Sequence, residues 1–463
     1  MRQLRRRPDA AAAVEDTRDA PDREMSRRTT EHDREIFRLA VPAFFALAAE
    51  PLYVLADTAI VGHLGTRPLA GLGVAGAVLS IAFGIFNFLA YGTTATVARR
   101  IGAGDPKGAA EHGVAGLWLA LGLGLLLAGF GLAVSGPIVS AMGASARVAP
   151  FARTYLRISL LGAPFVLVAL AGTGYLRGLQ DTRTPLVIAL AANGLNLALE
   201  VALVYGVHMG IAGSAWGTVV AQVAAAVAYL AIVQRNVRRS HASARPDAAQ
   251  LRAAGTVGAF LTVRTGTLLL AFTAATSIAS RIGDAQVAAH QIAFQLWLLL
   301  ALCLDAIAIA GQAIVGRGLG ASDPVSTRAA SRRMLELGLI VGMGLGLLIV
   351  AVDPALAIAF TRDDAVRREL HPVLLMVALM QPLAAEVFVL DGIMIGAGDV
   401  RYLALAMTAA TLCFAPVAYA VLVTGSGLVA LWGALFVFMI ARLIGLGLRY
   451  RGNDWLVTGA IAT

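Results

Sequence analysis

Charge is what this sequence has least of. Only 14% of its 463 residues are Asp, Glu, Lys or Arg, against roughly 25% in an ordinary soluble domain, while 58% are hydrophobic and the mean hydropathy is +0.76. A water-soluble fold has no interior large enough to hide that much apolar surface. Cysteine is almost missing. Cys303 and Cys413 sit singly inside apolar segments, which excludes a disulfide framework and a cysteine-based metal centre and reads both as small core hydrophobes. No GxxxxGKS/T, HExxH or GxSxG occurs, so neither nucleotide hydrolysis nor a hydrolase centre is indicated, and no catalytic dyad or enzyme activity is expected. Residues 1–35, rich in arginine and acids, lack the apolar core and cleavage site of a signal peptide. They read as a disordered cytoplasmic tail.

What the chain does have is long apolar runs. Segments such as Leu335 to Val352 and Leu403 to Val423 are long enough to cross a hydrocarbon core of roughly 30 Å. In lipid every backbone polar group must be paired within the fold, so only helices or a closed barrel qualify, and unalternating runs exclude barrel strands. The fold class is therefore an all-α polytopic membrane protein. Apolar blocks predict twelve transmembrane helices at 36–63, 68–99, 110–134, 150–178, 184–206, 210–234, 253–281, 286–316, 328–353, 367–396, 400–424 and 427–449. The net charge of +9 lies in clusters between blocks, which speaks for topology rather than for nucleic acid. Arg99, Arg100, Lys107, Arg235, Arg238, Arg239, Arg317, Arg332, Arg333 and Arg449 fall on alternate connections. By the positive-inside rule both termini are expected in the cytoplasm of a plasma-membrane protein.

The chain also repeats itself. Ile101-Gly102-Ala103-Gly104-Asp105-Pro106 returns as Leu319-Gly320-Ala321-Ser322-Asp323-Pro324, an offset of 218 residues, and the same register relates Arg99 to Arg317, Gly65 to Gly283, Pro164 to Pro382 and Gly178 to Gly396. Six helices per repeat give two pseudo-symmetric lobes with the same orientation in the membrane, related by an axis along its normal. The expected organisation is a tail at 1–35, an N-lobe at 36–234, a cytoplasmic linker at 235–252, a C-lobe at 253–450 and a cytoplasmic C-terminal tail at 451–463.

An ionisable group near the bilayer centre costs about 2.5–3.5 kcal/mol on the insertion scale, so each one is a functional candidate. Glu50-Pro51 and Asp57 interrupt the first predicted helix; seven residues put the carboxyls about 10 Å apart on one face, with Pro51 expected to kink the helix between them. Asn193, Asn196 and Glu200 follow i, i+3, i+7 spacing in the fifth helix, a polar stripe that suits a proton or a hard cation such as Na⁺, both of which want oxygen partners. Interhelical hydrogen bonding is the other reading of that stripe. Thr218 and Gln222, one turn apart in the sixth helix, could complete the site. The second half carries Arg264, Asp305, Glu386 and Asp391 in apolar runs, with Arg264 and Asp305 read as a neutralising couple. His63 and His290 fall near predicted helix ends, where a lone histidine is usually interfacial.

With these residues in hand, the chain resembles the multidrug and toxic compound extrusion (MATE) transporters, and within them the DinF-like group. The resemblance rests on Glu50-Pro51-Leu52-Tyr53-Val54-Leu55-Ala56-Asp57-Thr58-Ala59-Ile60-Val61-Gly62-His63-Leu64-Gly65, on Arg177-Gly178-Leu179-Gln180-Asp181-Thr182-Arg183-Thr184-Pro185, on Ala288-Ala289-His290-Gln291, on Asp391-Gly392 with Gly396-Ala397-Gly398-Asp399, and on Trp455-Leu456-Val457-Thr458-Gly459. It implies export of drugs or amphipathic organic cations by proton or sodium antiport through alternating access, with Asp57 as the coupling and substrate-binding residue. It further implies an N-lobe cation site at Asn196, Glu200 and Thr218, a monomer, and an ion gradient in place of any cofactor. Glu200 stands where many members have Asp. The DinF-like group also includes citrate exporters, and Arg264 could serve an organic anion; a lipid or lipid-linked precursor flippase would share the two-lobe plan but want a cationic cavity. The intramembrane set of Glu50, Asp57, Glu200, Asp305, Glu386 and Asp391 against Arg264 and Arg442 is net acidic, which favours cations or protons.

Overall fold

The computed structural model describes residues 10–460, with side chains described from Glu31 onward except at Ala357; the Arg5-Arg6-Arg7 cluster of the expected tail lies outside the described residues. Among the described residues every regular element is helical. The N-lobe contains α1 (Ala10–Gly62), α2 (Thr66–Ile85), α3 (Phe88–Gly102), α4 (Pro106–Ala141), α5 (Ala149–Leu161), α6 (Ala163–Gly178), α7 (Arg183–Val201) with a π turn (Ala202–Gly206), and α8 (Ile211–Arg239). The C-lobe contains α9 (Ala248–Ile282), α10 (Asp284–Gly320), α11 (Pro324–Phe360), α12 (Asp364–Ala397), α13 (Val400–Thr424) and α14 (Gly427–Arg451). Eleven segments are long and apolar enough to cross a membrane, and α5 with α6, bent by 50° about Gly162, makes the twelfth. Large side chains such as Leu126, Phe130, Leu347 and Leu412 point outward from the bundle, as they must where the surrounding solvent is lipid.

The repeat is visible in contacts. Gly174 of α6 lies against the backbone of Ala90 in α3, and Gly392 of α12 lies against the backbone of Ala308 in α10; each pair is the other displaced by 218 residues. A side chain at either glycine would force the helices apart. Pro164 and Pro382 occupy the matching positions in α6 and α12. The halves differ in one respect. The C-lobe helices α10 and α12 are continuous and pack along each other, whereas their N-lobe counterparts break, at Phe86-Asn87 between α2 and α3 and at Gly162 between α5 and α6. Hydropathy cannot show such breaks, because the residues on either side are apolar. Hence the span expected at 68–99 is one crossing built from two helical segments.

The lobes meet at one end. Gly102 abuts the backbone of Arg317, and its repeat mate Gly320 abuts the backbone of Arg99, a reciprocal contact across the pseudo-two-fold. Arg99 donates to Ala397 O at 2.6 Å and Gly459 O at 3.2 Å, Arg317 bonds Gln180, and Arg333 pairs with Asp33 at 2.6 Å. Among the described residues, every hydrogen bond that joins the lobes lies at this end, which also carries the segment after α14 and the arginine-rich connections. The molecule is sealed there.

Three expected boundaries move. The tail read as 1–35 is helical from Ala10, and its last turn is fixed by the Arg317–Glu35 ion pair at 2.9 Å and by Asp33 on Arg333. The linker read as 235–252 shrinks to 240–247, because α8 and α9 run on past the apolar stretch; a helix satisfies its own backbone in water as well as in lipid. The C-terminal segment is pinned: Trp455 is 1% exposed, its indole N–H donates to Tyr450 O at 3.0 Å, and Gly459 N donates to Leu319 O at 3.0 Å. Pro51 does not interrupt α1, which stays helical to Gly62. It only leaves the Leu47 carbonyl without its intrahelical donor.

Candidate functional site

The two broken spans open a cavity of about 800 Å³ inside the N-lobe. Its walls come from α1, α2, α5, α6, α7 and α8, and it holds Glu50, Tyr53, Asp57, Asn193, Asn196 and Thr218 together with Gln222 and the rings of Phe83, Tyr155 and Tyr229. No arginine, lysine or histidine lines it. Discontinuous helices at such a site free backbone groups only where they face a cavity.

Asp57 is 5% exposed, near the far end of α1, and accepts from Ser214 Oγ at 2.6 Å. Glu200 is fully buried, adjoins the Asp57 carboxyl and the Ser214 hydroxyl, and has no hydrogen-bond partner on either oxygen. Asn196 donates to Thr218 Oγ at 3.3 Å and leaves its own side-chain carbonyl unpartnered. Thr218 is in turn bonded to Tyr53 at 3.1 Å and to Ser214 O at 3.1 Å. Asn193 donates to Ala49 O at 3.2 Å, which ties α7 to α1, while Glu50 is exposed to the cavity one helical turn or more away from the cluster. The structure therefore gathers Asp57, Asn196, Glu200 and Thr218 and leaves Glu50 and Asn193 at the margin. Two carboxyls side by side, one hydroxyl donor and three orphaned oxygens form a set that lacks positive charge; a proton or a small hard cation between them would satisfy it. Ser214 and the tyrosines went unread in the sequence. Ser214 stands four residues before Thr218 and eight before Gln222, one stripe of α8, so helical spacing could have added it.

The C-lobe has its own charge cluster, and it corrects one expectation. Arg264 of α9 bonds not Asp305 but Asp391 of α12, at 2.5 Å, and Arg442 of α14 bonds the same oxygen at 2.5 Å. Helical spacing tells which residues share a face, not which of six helices lie adjacent. Asp305, on α10, stays within electrostatic range of both arginines without a hydrogen bond. Arg264 and Arg442 with Asp391 tie α9, α12 and α14 together, and Arg177 of α6 also lies within electrostatic range of Asp305. Glu386 is half-buried with no hydrogen-bonded partner and stands apart from it. His290 is also corrected: it is 1% exposed, bonded to Thr276 at 3.1 Å and stacked on Phe294, an interior residue, because it is the seventh residue of α10 rather than at its end. Cys413 lies on the lipid-facing surface and Cys303 is half-buried, so only the latter has any core character.

The MatE family profile matches residues 42–202 and 265–420. The chain belongs to the MATE transporter family. Protein DETOXIFICATION 44, chloroplastic, of Arabidopsis thaliana is 34% identical over 424 residues, covering 89% of this chain and 80% of that protein. DNA damage-inducible protein F of Escherichia coli strain K12 is 29% identical over 430 residues, covering 91% and 93%. A crystal structure of a MATE protein in a bent conformation superposes with TM-score 0.83 at 24% identity over 92% of this chain and 96% of that one, and a MOP superfamily transporter from Pyrococcus furiosus with TM-score 0.82 at 24% identity over 91% and 95%. As a MATE protein the chain is a transporter and not an enzyme, and its twelve helices in two lobes are the MATE fold. The broken N-lobe spans lie within the matched residues, whereas the α8 wall of the cavity, with Thr218, Gln222 and Tyr229, lies outside them.

Proposed function

We propose that this MATE transporter exports amphipathic organic cations in exchange for protons, with Asp57 as the residue that takes proton and substrate in turn. The observation that carries this reading is the N-lobe cavity: about 800 Å³ of apolar and aromatic wall with Glu50 and Asp57 and no basic side chain. Aromatic faces and an unneutralised carboxylate attract an organic cation, and an anion would find no partner there. Glu200, buried beside Asp57 with both oxygens unpartnered, supplies a second acceptor through which a proton, or Na⁺ with Asn196 and Thr218, would be held. With the termini in the cytoplasm of a plasma membrane, the sealed end faces inward and the cavity faces outward, the release side of the cycle. An ion gradient supplies about 2.3 kcal/mol per charge per 100 mV.

The test is uptake of a fluorescent organic cation into proteoliposomes under an imposed pH gradient. Transport is expected to collapse with the gradient and in Asp57→Asn, to fall in Glu200→Gln, and to survive removal of Na⁺. Native protein that moves no cation under a proton or a sodium gradient would overturn the cation reading in favour of an organic anion or a lipid, with Arg264 as the next residue to change.

A further inference from the structure

A second cavity, of about 450 Å³, lies where the lobes meet at the sealed end, between α3 and α4 of the N-lobe and the start of α9 in the C-lobe. Arg99, Arg100, His112 and Asp247 line one end of it, with Arg100 already paired to Asp105 at 2.7 Å and the Asp247 carboxylate capping α9, and its body runs down α3 to Leu89 and Phe88 against Leu119 and Val257. From Phe88 to Arg100 the helix rises about 18 Å. The chamber is thus polar at the membrane face, where Arg99 is the arginine without a carboxylate, and apolar towards the bilayer centre.

Arg99 is 2% exposed, yet it has no carboxylate among the described residues: it donates only to the carbonyls of Ala397 and Gly459, and its Nε is unpartnered. The bond to Ala397 caps the C-terminus of α12, which offsets part of the charge. Burying the remainder without a counter-ion is unfavourable. The repeat shows what is missing. Arg317, the mate of Arg99, is met by Glu35 at 2.9 Å and by Gln180, with Arg333 and Asp33 beside them. Counting 218 residues along or back, Glu35 becomes Ala253, Gln180 becomes Gly398 and Arg333 becomes Ala115, and all three line the chamber. Three of the side chains that fill one pseudo-symmetric site have been cut back to almost nothing in the other, while the fourth, Asp33, becomes Leu251, which stays outside the lining.

We propose that this chamber binds an anionic phospholipid, whose phosphate takes the place of the Glu35 carboxylate opposite Arg99 and whose acyl chain lies along α3. Arg238 and Arg239 at the end of α8 and Arg245 of the linker stand at the same end and draw anionic lipid to it. Because both lobes wall the chamber, the bound lipid holds this end sealed.

Native mass spectrometry of the full chain in detergent, titrated with phosphatidylglycerol or phosphatidylcholine, reads the site directly. One phosphatidylglycerol is expected to bind with roughly tenfold preference, and the native protein should melt higher in phosphatidylglycerol nanodiscs than in phosphatidylcholine ones. Ala253→Glu, which restores the missing carboxylate, should lose that preference and melt in phosphatidylcholine as the native protein does in phosphatidylglycerol. Ala253→Gln should lose the bound lipid without gaining stability, and it keeps the test decisive if the glutamate variant fails to fold. Equal binding of the two lipids by the native protein, or phosphatidylglycerol binding undiminished in both variants, would overturn the proposal. So would inorganic phosphate that stabilises the delipidated protein as much as the lipid does, which would reassign the chamber to a soluble anion.

Discussion

Asp391 accepts both Arg264 and Arg442 on one oxygen at 2.5 Å, deep in the C-lobe. A buried pair contributes little net stability while intact, but removing one partner strands the other in a medium that solvates it badly. Asp391→Asn strands two guanidiniums at once, and a loss of about 3–5 kcal/mol is expected, read as a large fall in Tm of the detergent-solubilised protein. Asp305→Asn, which breaks no hydrogen bond, should shift Tm much less; equal shifts would show that Asp305 carries the charge balance instead. At this scale the sequence was a good guide to which residues matter and a poor one to their partners. The spacing of Asn193, Asn196 and Glu200 put a polar stripe on α7, and the structure turns Asn196 and Glu200 of that stripe towards Asp57. Nothing in the spacing of Arg264, Asp305 and Asp391 could say which two helices face each other.

Helix ends carry a similar lesson. Asp105 caps α4: its carboxylate accepts from Gly108 N at 2.8 Å, with Pro106 in the first turn, and Arg100 pairs with it at 2.7 Å. The Gly108 amide first, and then the arginine, hold this carboxyl below its usual value. Asp105→Ala should destabilise by about 1 kcal/mol. Because the folded-state value is depressed, the contribution is present above the unfolded value and is lost as pH falls through the folded one. The Tm difference between native protein and variant should therefore shrink in acid; a difference that grows in acid would contradict this assignment. Asp105 and Asp323 were legible in the sequence as mates in the repeat, but their role as caps was not read from it. The breaks at Asn87 and Gly162 were not legible, since neither alters hydropathy, and it is these breaks that distinguish the hollow N-lobe from the filled C-lobe.

For the whole molecule, the repeat legible at 218 residues sets both the symmetry of the lobes and the joint that closes one end. Gly102 and Gly320 each touch the opposite lobe's backbone, at Arg317 and Arg99. Gly320→Val should prop this joint open: a cysteine placed at the buried Ala98 should label faster with a membrane-impermeant thiol reagent, and transport should slow several-fold. Unchanged labelling would place the closure elsewhere.

In the proposed cycle, proton and organic cation exchange at one carboxylate, Asp57, in the N-lobe cavity. Calorimetric titration of the purified transporter with an organic cation, repeated in buffers of different ionisation enthalpy and without Na⁺, tests it most directly. The native protein is expected to release close to one proton per cation bound, and Asp57→Asn none. Binding with the same enthalpy in every buffer, or proton release undiminished in Asp57→Asn, would contradict it.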